Sequence, residues 1–272
     1  MSHGLGATRD AGLEPYAIRF REAGFAVLVF DYRHLGESGG EPRQLVWIPY
    51  QLEDMSAAVE YTRGLEEIDP DRIALWGTSL SGGHVIVTAA KDDMVSCVSA
   101  QCPLLDGAET GIAALKIEGV KASIGRALRM IPHGQRDLVR SWFGLSPHRI
   151  PLVGIQGSVA VLPDSTAWDA LGRLATDDFV NEVCARILIR MDKYRPVRYI
   201  GKVHCPVLLQ VTHDEISFQI KAIRNAEERL GELAEIIRYP TGHFGIYLGS
   251  KFEKSVSDQL EFFTRHLRPL SS

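Results

Sequence analysis

The sequence predicts an α/β protein: a doubly wound, mostly parallel sheet with a helical cap inserted into it. Three observations carry that prediction. Short continuous apolar runs recur along the chain, as strands buried on both faces require. Amphipathic stretches of helical period lie between them. Turn residues punctuate the joins. Strands that alternate with helices in this way argue for parallel pairing through crossover helices.

Taken in order, "MSHGLGATRD" has no apolar stretch after its start, so it reads as no signal peptide. "AGFAVLVFDYR" holds an apolar run from Ala26 to Phe30 and reads as a strand. "HLGESGGEP" is a turn, and "YQLEDMSAAVEYTRGL" puts Leu52, Met55 and Val59 on one helical face. "RIALW" is a strand that stops at Gly77, and "GGHVIVTAAK" is the helix after it. "VSCVSAQCPL" and "CPVLLQVTHDE" are strands, "SFQIKAIRNAEERL" a helix and "AEIIRYP" a last short strand. "KFEKSVSDQLEFFTRHL" closes as a helix with Phe252, Val256, Leu260 and Phe263 at helical spacing.

The stretch 106–200 breaks this rhythm. "IGRALRMI", "LVRSWFGL" and "DFVNEVCARILIRM" read as helices, and "SPHRIPLVGIQGSVAVLP" as an irregular connection. The chain therefore divides into a first core part (1–105), a helical cap (106–200) and a second core part (201–272). No internal repeat is present.

Composition removes several function classes. The 272 residues are 45% apolar, enough for one large domain, and the formal net charge is −4. No basic stripe supports nucleic-acid binding. No apolar run reaches membrane-span length. Cys97, Cys102, Cys184 and Cys205 lack CxxC spacing and read as free thiols in a reducing, cytoplasmic compartment. There is no HExxH, no paired CxxC and no carboxylate cluster, so neither metal nor cofactor is expected. Homo-oligomerisation is left open.

The chemistry centres on "RIALWGTSLSGGHVIVTAA", where Ser79 occupies a tight strand-to-helix turn. Such a turn exposes a hydroxyl at the carboxyl edge of the sheet and aims the next backbone N–H at a developing oxyanion. Gly77 meets the need for small neighbours; Ser81 stands where the usual pattern has a second glycine. Serine is a poor nucleophile without a base. In chain order the acid should follow at a strand end and the histidine after the last strand. "VLLQVTHDE" places Asp214 there, with Glu215 the alternative and His213 a loop residue. "YPTGHFGIY" places His243. His84, His133, His148 and His266 are weaker candidates. The oxyanion donors are Leu80 N–H, just after the nucleophile, and Leu5 N–H, after His3-Gly4.

On these residues the sequence resembles the α/β-hydrolase superfamily, within it the actinobacterial-type serine hydrolases of the dienelactone hydrolase and S15-peptidase-like branch. The resembling segments are "SHGLGATRDAGLEPYAIRFREAGFAVLVFDYRHLGESGGEPRQL", "DPDRIALWGTSLSGGHV", "CPVLLQVTHDE" and "GHFGIYLGSKFEKSVSDQLEFFTRHL". The resemblance implies ester hydrolysis through an acyl-enzyme without a metal. It also implies strands before the His-Gly loop, one of them interior; with Met1 only two residues before His3, the expectation is either that the start is placed too late or that the sheet is rearranged. The runs from Ala26 and from Arg72 should then close up and pair directly, which would move the His3-Gly4 loop and spoil the Leu5 donor, or a partner chain should supply the strand, or the chain should fold poorly alone.

The expected function is thus a serine hydrolase cleaving esters or thioesters of small, apolar substrates. Trp142, Phe143, Leu145 and Trp168 are candidates either to select the acyl group or simply to pack the cap. A peptidase and an acyl-carrier thioesterase or acyltransferase of the same fold are the rivals. A non-catalytic binding protein on this scaffold is the alternative from another class.

Overall fold

The computed structural model describes residues 1–267. Its central sheet has four strands, β1 (Ile73–Thr78), β2 (Val95–Gln101), β3 (Val207–Thr212) and β4 (Ala234–Tyr239), side by side in that order and all parallel. The helices are α1 (Glu14–Glu22), α2 (Ile48–Arg63), α3 (Leu80–Ala89), α4 (Gly107–Glu118), α5 (Val120–Trp142), α6 (Ser165–Leu174), α7 (His213–Leu230) and α8 (Gly249–Leu267).

Side chains alternate across the sheet and build two cores. Leu75, Val98, Ala100, Val207, Leu209 and Val211 face α2, α3 and α7. Trp76, Cys97 and Leu208 face α1 and α8, where they meet Tyr16, Phe20, Val256 and Phe263. Both faces are therefore covered, which is why these strands read as unbroken apolar runs.

The expected strand at Ala26–Phe30 is not part of this sheet. Its side chains still alternate: Phe25, Val27 and Val29 pack toward α1 and α8, and Phe30 and Tyr32 toward α2. The backbone has no ladder partner among the described residues. The Met1 ammonium donates to the Leu28 carbonyl at 2.7 Å. On its other side, Ser2 bridges β1 in parallel: Ser2 N–H donates to Trp76 O at 3.1 Å, and Thr78 N–H to Ser2 O at 3.4 Å. Met1 and Ser2 thus stand between the two runs like a two-residue strand. Beyond them a cleft of about 260 Å³ stays open, lined by Val27, Leu28, Phe30, Ala74, Trp76 and Phe263. Direct pairing of the runs from Ala26 and Arg72, one of the three outcomes the sequence left open, does not occur. Both walls are already packed against helices, and the Met1–Ser2 wedge holds their ends apart.

The insertion also departs from expectation. "IGRALRMI" and the Leu138–Trp142 part of "LVRSWFGL" fall within the single 23-residue helix α5, which ends before Phe143. "DFVNEVCARILIRM" is not a helix: Val183–Cys184 pairs antiparallel with Arg149–Ile150, and 3₁₀ turns follow. The buried carboxylate of Asp137 explains the change. It accepts from the Arg186 backbone N–H at 2.9 Å and from Arg186 Nε at 2.6 Å, so tertiary bonds override helical period. Trp142 and Phe143 are 71% and 73% exposed, and Leu145 and Trp168 are exposed too, so none of the four is packed inside the cap. The insertion does touch the amino-terminal loop, because a methyl added at Gly6 would come within 3.0 Å of Leu152.

Candidate active site

β1 runs straight into α3 with only Ser79 between them. Ser79 has φ 57° and ψ −117°, a region that costs a non-glycine residue on the order of 1–3 kcal/mol. The surroundings hold it there: Ser79 N–H donates to Gln101 O at 2.9 Å, and Ser79 O accepts from Leu104 N–H at 2.9 Å. Close packing explains the glycines. A Cβ on Gly77 would lie 2.3 Å from Ser81 O, and one on Gly83 2.5 Å from Leu104 O. Ser81 is buried, and its hydroxyl has partners of its own.

Leu80 is the first residue of α3, so its N–H has no acceptor within the helix. The His3-Gly4-Leu5 loop lies against Ser79, because a Cβ on Gly4 would come 3.1 Å from Ser79 Cβ and 3.5 Å from Ser79 Oγ. The Ser2 bridge to β1 anchors this loop, so the open cleft has not displaced it. Leu5 N–H has no hydrogen-bond acceptor among the described residues.

His243 sits in the loop after β4, and its Nδ1 lies 2.5 Å from Glu215 Oε1. The ring partner is therefore Glu215 and not Asp214. Asp214 instead accepts the His243 backbone N–H at 2.6 Å and fixes the loop. The reason is a capping box at the start of α7. Glu215 Oε2 accepts from Thr212 N–H at 2.8 Å and from Thr212 Oγ1 at 2.6 Å, which turns Oε1 toward the imidazole. The pattern T-x-x-E at a strand end, Thr212 to Glu215, is the sequence signal that distinguishes the two carboxylates. His213 is the exposed first residue of α7.

Burial alone would raise the Glu215 pKa, but the His243 imidazolium and the two Thr212 donors outweigh it and bring it to about 2. Burial likewise pushes His243 down, and Glu215, with Asp214 behind it, reverses this so that its pKa stands above the usual value. With Nδ1 held by a carboxylate, Nε2 is the free face of the ring. No hydrogen bond joins Nε2 to Ser79 Oγ among the described residues; such bonds often tighten only around substrate.

Cys102, Glu215 and His243 bring three donor atoms within 4.8 Å of one another, the one such metal-capable set among the described residues. Burial and the Glu215 charge hold the Cys102 thiol well above its usual pKa, so it keeps its proton. Both Glu215 oxygens are committed to Thr212 and His243. That donor set suits an acid–base pair better than a metal. The other histidines are engaged elsewhere. Buried His84, lowered to about 3 by burial, bonds Tyr194 OH and Gln51. His133 and His148 stack on each other in the insertion, and His266 leans on Phe262.

Comparison with known proteins identifies the fold family. The family described as alpha/beta hydrolase fold matches residues 1–127. The quorum-quenching protein AidA of Acinetobacter baumannii (strain MDR-ZJ06) is 39% identical over 268 residues, covering 97% of this chain and 85% of that one. The thiohydrolase aneE of Aspergillus aculeatus is 41% identical over 106 residues, 39% of this chain and 33% of its own. Among solved structures, the alpha/beta hydrolase GrgF from Penicillium sp. sh18 superposes with a TM-score of 0.79 at 24% identity, over 98% of this chain and 89% of that one.

Proposed function

The chain belongs to the α/β-hydrolase fold family, and we propose that within it the protein is a serine hydrolase cleaving small acyl esters or thioesters through an acyl-enzyme. The observation that carries this reading is the combination of Ser79 on a strained elbow with a Glu215–His243 pair at the same edge of the sheet.

Ser79 Oγ attacks the acyl carbon, and His243 Nε2 takes the hydroxyl proton as the bond forms. Glu215 holds the ring through Nδ1 and stabilises the imidazolium. Leu80 N–H and Leu5 N–H receive the negative charge that develops on the carbonyl oxygen. Collapse expels the alcohol or thiol, which takes the proton from His243. Water then repeats the sequence on the acyl-enzyme and releases the acid. Asp214 keeps the loop of His243 in place through its backbone. The insertion 106–200 serves as the cap over the pocket, supported by the packing of Leu152 on the oxyanion loop. Four free, buried cysteines fit a reducing, cytoplasmic setting.

Thioesters enter on equal terms with oxygen esters because a relative is named a thiohydrolase. The quorum-quenching relative adds bacterial signalling molecules to the substrates worth testing. The decisive experiment is labelling with a fluorophosphonate, followed by peptide mapping, and then matched ester and thioester panels. An adduct on Ser79 is expected. An unlabelled Ser79 in folded protein would sink the mechanism.

A further inference from the structure

Ser81 departs from the glycine expected two places after the nucleophile, and its surroundings give the departure a purpose. The side chain is fully buried at the start of α3. Its Oγ donates to the His3 carbonyl at 2.5 Å and lies 2.8 Å from the hydroxyl of buried Tyr32, which donates back to it. A glycine here could make neither bond.

The geometry points to Ser81 as a positioning residue that sets the two halves of the oxyanion hole at their working separation, a role that rests on the hydrolase reading above. The argument follows successive peptide planes. In a trans peptide the C=O and the next N–H point in opposite directions, so holding one aims the other. Ser81 holds the His3 carbonyl and thereby the His3–Gly4 plane. The next plane is held by Gly4 O, which lies 3.0 Å from His3 Nδ1 and accepts from Ala7 N–H at 3.3 Å. Only an N–H can bond a carbonyl, so Nδ1 carries the ring proton, and burial disfavours protonation of the other nitrogen. The N–H of that second plane belongs to Leu5. With Gly4 O turned to His3 and Ala7, Leu5 N–H faces the other way and has no partner of its own among the described residues.

The second donor, Leu80 N–H, is one residue from Ser81. The Ser81–His3 bond is thus a direct tie between the loop that carries one donor and the helix that carries the other. The Ser2 bridge fixes the same loop to β1, but two residues before the plane that matters. Tyr32 orients the hydroxyl, because by donating to Oγ it leaves the serine proton for the His3 carbonyl.

Wild type, Ser81→Ala, Ser81→Gly and Tyr32→Phe test this. The readouts are kcat and KM on a p-nitrophenyl ester, the rate of Ser79 phosphonylation by a fluorophosphonate, the pH profile and thermal melting. Misplacing a catalytic group by about 1 Å costs up to roughly 100-fold. Both Ser81 variants should therefore lose about 10–100-fold in kcat and in phosphonylation rate, with KM within about twofold. Tyr32→Phe, which keeps the Ser81–His3 bond, should lose less. The acid limb of the pH profile should not move, since the Glu215–His243 pair is untouched. A kcat within twofold of wild type in folded Ser81→Ala overturns the role, as does a loss confined to KM or a shifted acid limb. If both Ser81 variants fail to fold, the smaller change in Tyr32→Phe decides: unchanged kcat and phosphonylation rate overturn the role, and a partial loss at constant KM supports it. A Ser79 adduct that forms equally fast in wild type and variants overturns this role alone. No adduct in wild type overturns the hydrolase reading, and this role with it.

Discussion

The two flanks of β1 are built differently. Along one, residues from Ile73 to Thr78 pair in parallel with β2. Along the other, the ladder is reduced to the single bridge at Ser2, and an open cleft runs beyond it toward the start of the strand. Yet the turn at Ser79, the His3-Gly4-Leu5 loop beside it and the His243–Glu215 pair are all assembled. In the proposed mechanism the reacting groups gather at the carboxyl end of β1, and that is the end of the strand held on both sides. Sheets of this kind place their ligands outside the carboxyl ends of the strands, and here the pairing is kept at that end.

The sharpest break in that comparison is at the pinned end. Ser79→Ala should abolish ester turnover while the melting temperature stays within a few degrees. Turnover near wild type in folded protein would remove Ser79 from the mechanism. Next in size is the choice between the two carboxylates. Glu215→Gln should cut kcat by about 10³–10⁴, as loss of the orienting acid does elsewhere. Asp214→Asn, which touches only the loop backbone, should cost about tenfold. If kinetic assays reverse that order, Asp214 is the acid after all.

The pH profile is a milder probe of the same pair. His243 must be neutral to act as base, and its pKa is raised by Glu215. Activity should therefore fall as pH drops through a midpoint above the usual histidine value. In Glu215→Gln the residual activity should persist to lower pH, because the neutral amide no longer favours the imidazolium. An unshifted midpoint in that variant would separate Glu215 from the titration.

The smallest expected effects compare the flanks directly. Val98→Ala, at a fully buried position of β2, should destabilise by about 2 kcal/mol or more, and Val27→Ala, on the half-buried wall of the cleft, by less than about 1 kcal/mol. Neither should change kcat. Urea unfolding would measure both, and equal losses would show that the cleft wall is packed as tightly as the sheet.

Much of this was legible in the residues. Gly77, Ser79 and the helix after it announced the elbow, because a chain cannot turn so tightly with larger neighbours. Chain order placed His243. The choice of acid needed more than order, since Asp214 and Glu215 are adjacent and point apart. The capping box from Thr212 decides it, a local rule that is readable once the start of α7 is known. Ala26–Phe30 misled because its apolar run is real and is packed, but packing alone does not make a strand without a neighbour to bond. The helix expected at 178–191 failed for the opposite reason. Its period was helical, yet the buried carboxylate of Asp137 claims the backbone at Arg186.

The open cleft also writes a signature into β1 itself. Successive backbone groups in a strand point to opposite sides, so alternate residues of β1 face β2 and the cleft. Thr78 N–H and Trp76 O bond Ser2, so the even-numbered groups face the cleft and Leu75 and Gly77 face β2. The Ala74 and Trp76 amides have no ladder partner among the described residues, while their neighbours on either side do. Native-state hydrogen exchange should therefore alternate residue by residue along one strand: Leu75 and Gly77 slow, at the rate of global opening, and Ala74 and Trp76 fast, at the rate at which water enters the cleft.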